Sequence, residues 1–223
     1  LLLFVGLVPF AERIFTAVAT PLMDQLPEGA TMIATQVASP FLTPFKMTLF
    51  VALFLAMPVV LYQLWQFVAP GLYRNEKRFA IPLLLSSIVL FYAGASFAYY
   101  VVFPLMFGFF AAAAPEGVTM MTDISSYLDF VLTLFFAFGI AFEVPIATVM
   151  LVSSGLVSIK TLGKARAYVF LGAIVAGMIL TPPDAISQTL LAVPVYLLYE
   201  SGIVLCRILG AERAKPQEES SAS

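Results

Sequence analysis

The 223-residue chain has no histidine and one cysteine, Cys206. Without histidine it lacks the usual general base, the commonest metal ligand and the usual axial ligand of haem. Cys206 stands alone in an apolar run, which excludes an intramolecular disulfide and a thiolate metal cage. Neither a metal nor any other cofactor is expected. Charge is also scarce: 11% of residues are charged, against roughly 25% in an average soluble domain. Hydrophobic residues make up 61% and the mean hydropathy is +1.01. A soluble core this apolar would have too little polar surface to cover it. The net charge of -2 gives no general attraction to nucleic acid.

The scarce charge falls in clusters. Residues 79–115 carry none, and four more apolar stretches are separated by small charged groups. A helix needs about 20 apolar residues to cross a hydrocarbon core of roughly 30 Å, so the pattern is that of a polytopic membrane protein. The expected fold is all-α, a single transmembrane helical domain over residues 1–209. Its six spans are placed at about 1–10, 44–68, 79–103, 127–152, 167–180 and 187–205, followed by a polar cytoplasmic tail, 210–223. The first run opens on apolar residues with neither Met nor a basic segment before them. It is expected to be the outer part of a truncated span, ended by Glu12 and Arg13.

Residues 11–42, rich in Pro, Thr and Gly, are expected to form an ordered loop outside the hydrocarbon. As one straight helix, residues 79–115 would extend about 55 Å, too long for one span yet with no turn for two. The expectation is an exit at Pro104 and an interfacial segment after it. The fifth and sixth apolar runs are short and flank Thr181-Pro182-Pro183-Asp184, which predicts a low hairpin. Pro58, Pro145 and Pro194 lie inside spans and should kink them into a curved bundle. The spacings Gly94 to Ala98 and Ala173 to Gly177 suit close helix packing.

Arg74, Lys77, Arg78, Lys160, Lys164, Arg166, Arg207, Arg213 and Lys215 share one side of this topology, and only Arg13 and Lys46 fall on the other. Basic residues stay cytoplasmic, so the tail is expected there, and an even span count puts the N-terminus with it.

Few residues remain for chemistry. Glu143 lies near the middle of the fourth span, where an ionisable side chain costs about 3 kcal/mol by insertion scales. Either it faces a polar cavity or a partner, or it is a neutral carboxyl hydrogen-bonded to a neighbouring helix. Asp184 sits at a turn, where an Asp is ordinary. The amides of Gln63 and Gln188 must each find a partner in a helix interface or in water. Glu76, among Arg74, Lys77 and Arg78, reads as a solvated ion-pair cluster at headgroup level. A serine protease would need a base and a Gly-x-Ser-x-Gly turn, and an intramembrane aspartic protease a second aspartate beside Asp184. No enzyme is expected. One alternative is a proton-coupled secondary transporter or channel using Glu143, although the repeated halves common in transporters are not seen.

Several segments carry a more specific signal. They are Ser39-Pro40-Phe41-Leu42-Thr43-Pro44-Phe45-Lys46, the run from Pro58 through Trp65-Gln66-Phe67-Val68-Ala69-Pro70-Gly71-Leu72-Tyr73, and Glu76-Lys77-Arg78. Phe97-Ala98-Tyr99, Phe138-Gly139-Ile140-Ala141-Phe142-Glu143-Val144-Pro145 and Thr181-Pro182-Pro183-Asp184 complete the set. In order and spacing they resemble the TatC family, the multi-span receptor of the twin-arginine system that moves folded proteins across the bacterial cytoplasmic membrane. The resemblance covers nearly the whole chain. It implies six helices in a concave wall, short fifth and sixth helices, and both termini cytoplasmic. It further implies that Glu76, with Phe67 beside it, binds the paired arginines of signal peptides. A second carboxylate for that task belongs to an N-terminal segment not contained in this sequence. By the same resemblance Glu143 is the intramembrane acid, Asp184 the outer-loop acid, and Thr181 and Gln188 dock the single helices of TatA and TatB. The implied state is a homo-oligomer within a larger complex.

Overall fold

The computed structural model describes residues 1–23, 31–72, 77–113, 121–180 and 185–209. The helices are α1 (Leu2–Leu7), α2 (Ala11–Met23), α3 (Ser39–Leu72), α4 (Lys77–Phe97), α5 (Phe103–Ala113), α6 (Ile124–Ala141), α7 (Val144–Ser153), α8 (Ile159–Leu180) and α9 (Ala185–Ile208). A 3-10 turn, Val8–Phe10, links α1 to α2, and a π-helical turn, Ala98–Val102, links α4 to α5. Six helical stretches are long and apolar enough to cross a membrane: Leu2–Ala19, Ser39–Gln66, Ile81–Phe110, Ile124–Ser153, Ile159–Leu180 and Gln188–Ile208. The fold is all-α in class and polytopic.

Several boundaries differ from the sequence expectation, for local reasons. The first helical stretch runs past Glu12 and Arg13 to Met23, because charge on a helix surface ends an apolar pattern without ending a helix. Likewise α8 starts at Ile159, eight residues before the expected 167, and takes in Lys160, Lys164 and Arg166. The Ser158 hydroxyl accepts the Thr161 N–H at 3.1 Å and caps that start. The chain does not leave its helix at Pro104. The missing proline N–H falls in the first turn of α5, and the π turn before it absorbs the mismatch, the Phe103 N–H reaching back to the Ala98 carbonyl. In the fourth span the helix does break where expected, between α6 and α7, with Pro145 in the first turn of α7. Here the Glu143 N–H donates to the Ile140 carbonyl at 3.0 Å, a bond one residue tighter than α-helical.

The stretch expected as a loop contains one strand of a small sheet. Thr31–Ile33 (β1) pairs in parallel with Met121–Asp123 (β2), Met32 opposite Thr122. The Asp123 carboxylate locks this junction. It accepts the Thr35 hydroxyl at 2.6 Å, the Thr35 N–H at 2.9 Å and the Ser126 N–H at 2.9 Å. These bonds, the Thr35 hydroxyl first, hold its carboxyl well below the usual carboxylate range.

The described chain divides into two compact units, Leu1–Val60 with Gly94–Phe138, and Leu61–Ala93 with Gly139–Ser223. The first is filled by aromatic side chains. Phe50 meets Phe136 edge-on at 4.8 Å between centroids, and Phe103 meets Phe135 at 5.1 Å. Met47, Phe103, Met106, Val131 and Leu134 are wholly buried there. The half-exposed Lys46 and Asp129 form an ion pair of 2.9 Å between α3 and α6.

In the second unit, α9 packs along both α7 and α8. Val149, Val152, Leu162, Tyr199, Ile203 and Cys206 form its core, and the Tyr199 hydroxyl donates to the Leu162 carbonyl at 2.8 Å. Gly155, at φ +74, takes a left-handed conformation at the turn from α7 to α8. Gly202 permits the close approach of α7 and α9. A Cβ there would lie 2.5 Å from the Thr148 Oγ1 and 3.0 Å from the Pro145 Cα.

Gly202→Ala should therefore destabilise the protein by about 1–3 kcal/mol through overpacking. Gly172→Ala, with nothing within 4 Å of the new Cβ, should be neutral or stabilising by up to about 1 kcal/mol. Thermal unfolding of the purified protein in detergent measures both; equal midpoints would contradict the α7–α9 packing.

Candidate functional site

The acid in the fourth span has a built environment. Glu143 lies at the break between α6 and α7, where the helix backbone is already interrupted. Ser87, in the middle of α4 and 1% exposed, donates its hydroxyl to the Glu143 Oε2. One turn along each helix, Phe91 faces Gly139. A Cβ at Gly139 would fall 2.5 Å from the Phe91 ring, so glycine there lets the two helices close around the polar pair. Ser87 and Phe91, like Gly139 and Glu143, are four residues apart and share a helix face. The second carboxylate oxygen, Oε1, is buried and has no hydrogen-bond partner among the described residues. A carboxyl with one oxygen bound and one open can accept or donate one further hydrogen bond. With Oε1 buried, the carboxyl ties α4 to the α6–α7 break and does not present a solvated charge.

Two other polar pairs tie helices together. Arg166 on α8 pairs with Glu200 on α9: its Nη2 donates to Oε2 at 2.8 Å, and its Nε lies 2.6 Å from Oε1 as an ion pair. Lys46 and Asp129 form the other.

Gln188, expected at a docking notch, lies near the start of α9 and is 9% exposed. Its backbone abuts Gly177, where a Cβ would sit 3.4 Å from the Gln188 Cα. The amide is thus set into the α8–α9 hairpin, not on an open face. Phe67 falls in the last turns of α3. Glu76, Thr181 and Asp184 lie outside the described residues.

Sequence reasoning missed Ser87 and Asp129. Serine is one of the commonest residues in close helix contacts, so Ser87 carries no signal of its own. It would have been found only by asking which hydroxyl lies within reach of Glu143. Asp129 was legible as an acid near a span end opposite Lys46, but which span Lys46 faces is a tertiary fact.

A sequence model described as Sec-independent protein translocase protein (TatC) matches residues 1–194. The Sec-independent protein translocase protein TatC of Azotobacter chroococcum is 62% identical over 223 residues, 100% of this chain and 86% of that one. That of Escherichia coli K12 is 54% identical over 207 residues, 93% of this chain and 80% of that one. Among solved structures, the crystal structure of twin arginine translocase receptor TatC matches with a TM-score of 0.82 and 38% identity, covering 95% of this chain and 94% of that chain.

The Ser87–Glu143 pair makes a stability prediction. Ser87→Ala leaves both carboxylate oxygens without a protein partner and should lower stability by about 0.6–2 kcal/mol. Glu143→Gln keeps an acceptor for the Ser87 hydroxyl and should lose less. Unfolding midpoints in detergent decide it, and an unaffected Ser87→Ala variant would show that the hydrogen bond contributes nothing.

Proposed function

The chain belongs to the TatC family of Sec-independent protein translocase proteins, and from that membership we propose that it is the receptor and scaffold of a twin-arginine translocase. The observation that carries this reading is the match along 95% of the chain to the twin arginine translocase receptor structure. The motif segments support it, because they run in family order from Ser39 to Asp184. Family membership also selects protein translocation over proton-coupled solute transport as the role of the membrane domain.

In this reading the protein sits in the bacterial inner membrane with both termini cytoplasmic, the orientation favoured by its basic residues. Glu76, between α3 and α4 in sequence, reads a guanidinium of the twin-arginine signal. An arginine fork fits a carboxylate bidentately. An exposed pair of this kind contributes only about 0.2–1 kcal/mol, so apolar docking of the signal peptide at the end of α3, near Phe67, supplies the rest. Arg74, Lys77 and Arg78 around Glu76 repel an arginine-rich segment unless the carboxylate is engaged, which sharpens selection.

TatA and TatB helices dock at the α8–α9 hairpin. Gln188 is nearly buried near the start of α9, and in this reading Thr181 and the outer-loop acid Asp184, between α8 and α9 in sequence, act with it. Glu143, its Oε1 buried and its Oε2 bound by Ser87, acts from within as the polar link between α4 and the α6–α7 break.

Glu76→Lys removes a pair worth about 0.2–1 kcal/mol and sets a cation in its place, so it should weaken binding of a twin-arginine precursor about threefold or more, while the protein stays inserted and abundant. Gln188→Leu with Thr181→Val should reduce co-purification of TatA or TatB and leave precursor binding unchanged. Precursor crosslinking and partner pull-down separate the two effects; export unchanged by the Glu76 charge reversal would remove Glu76 from recognition.

A further inference from the structure

Arg166 is neutralised by Glu200, but Lys160 and Lys164 on α8 and Arg207 in the last turn of α9 form no ion pair among the described residues, and all three are exposed. They share one end of the hairpin. α9 runs antiparallel to α8, with Arg166 against Glu200 and the Tyr199 hydroxyl on the Leu162 carbonyl, which puts Arg207 near the start of α8. The first turn of α8 contains no acid. Lys160 and Lys164 therefore add their charge to the positive end of the α8 dipole, an unfavourable arrangement that a bound anion offsets.

The same face of α8 continues toward the other end of the helix as an apolar stripe. Lys160, Lys164, Tyr168, Leu171, Val175 and Ile179 recur every three or four residues. Tyr168 is 78% exposed, Leu171 58%, Val175 47% and Ile179 82%. Two ammonium groups at the top, an amphipathic tyrosine one turn below and an aliphatic strip beneath match, in order, a phosphate, a glycerol ester level and an acyl chain.

We propose that this face of α8, with Arg207 beside its start, is a binding site for an anionic phospholipid. The phosphodiester lies on Lys160 and Lys164, and one acyl chain lies along Leu171, Val175 and Ile179. A free phosphate shares the headgroup chemistry but not the stripe, and the stripe is what commits the site to a lipid. In the orientation proposed above, the site faces the cytoplasmic leaflet.

The test uses the full chain purified in detergent, offered equal amounts of dioleoylphosphatidylglycerol and dioleoylphosphatidylcholine, with retained lipid counted by native mass spectrometry. The wild type should retain phosphatidylglycerol preferentially. Each of Lys160→Gln and Lys164→Gln should lower that preference about fivefold, and the pair about 25-fold, at the strength of one basic residue near an anionic surface. The double Lys→Arg variant should keep it, which separates charge from misfolding. Inorganic phosphate at equal concentration should not displace the lipid. Equal retention of both lipids by the wild type, an unchanged preference in the double Gln variant, or displacement by inorganic phosphate would each overturn the proposal.

Discussion

A polar group inside hydrocarbon has no water to turn to, so every one that stays there must be satisfied by the protein itself. That constraint explains where this chain is regular and where it is not. At the α6–α7 break the Glu143 carboxyl accepts the Ser87 hydroxyl, and the tight approach at Gly139 closes α4 around the pair. At the π turn, a shifted hydrogen-bond pattern carries the helix across Pro104. On the hairpin, Arg166 and Glu200 neutralise each other in an ion pair between α8 and α9. Outside the spans, Asp123 gathers the Thr35 and Ser126 donors and pins the small parallel sheet.

In the proposed reading the same constraint bears on function. Internally paired groups hold helices together. Glu143 keeps one buried oxygen with no hydrogen-bond partner among the described residues, Gln188 is set against Gly177, and Lys160 and Lys164 at the start of α8 form no ion pair among the described residues. Glu76 stands in sequence between the second and third spans, beside Arg74, Lys77 and Arg78. Recognition of an arginine pair belongs in such a place, because a buried carboxylate would carry a desolvation cost before any ligand arrived.

Much of this was legible in the sequence. The all-α polytopic class followed from apolar run length, and the break in the fourth span from Glu143 with Pro145. Family membership was legible from the quoted segments. The boundaries were less so, because charge marks the end of an apolar pattern while capping and backbone bonds mark the end of a helix. Thus α8 begins at Ile159 under a Ser158 cap, not after Arg166, and the first helix runs through Glu12 and Arg13. The π turn was invisible because it depends on which carbonyl finds which N–H. Pairings were the least accessible: neither Ser87 with Glu143 nor Lys46 with Asp129 follows from spacing along the chain.

Signal recognition between α3 and α4 is the central claim. The most direct measurement places a photoreactive residue at Phe67 in the membrane-embedded protein and adds a twin-arginine precursor or its twin-lysine counterpart. An adduct that forms with the twin-arginine precursor and fades with the twin-lysine one is the predicted result. Equal adducts with both, or none with either, would contradict it.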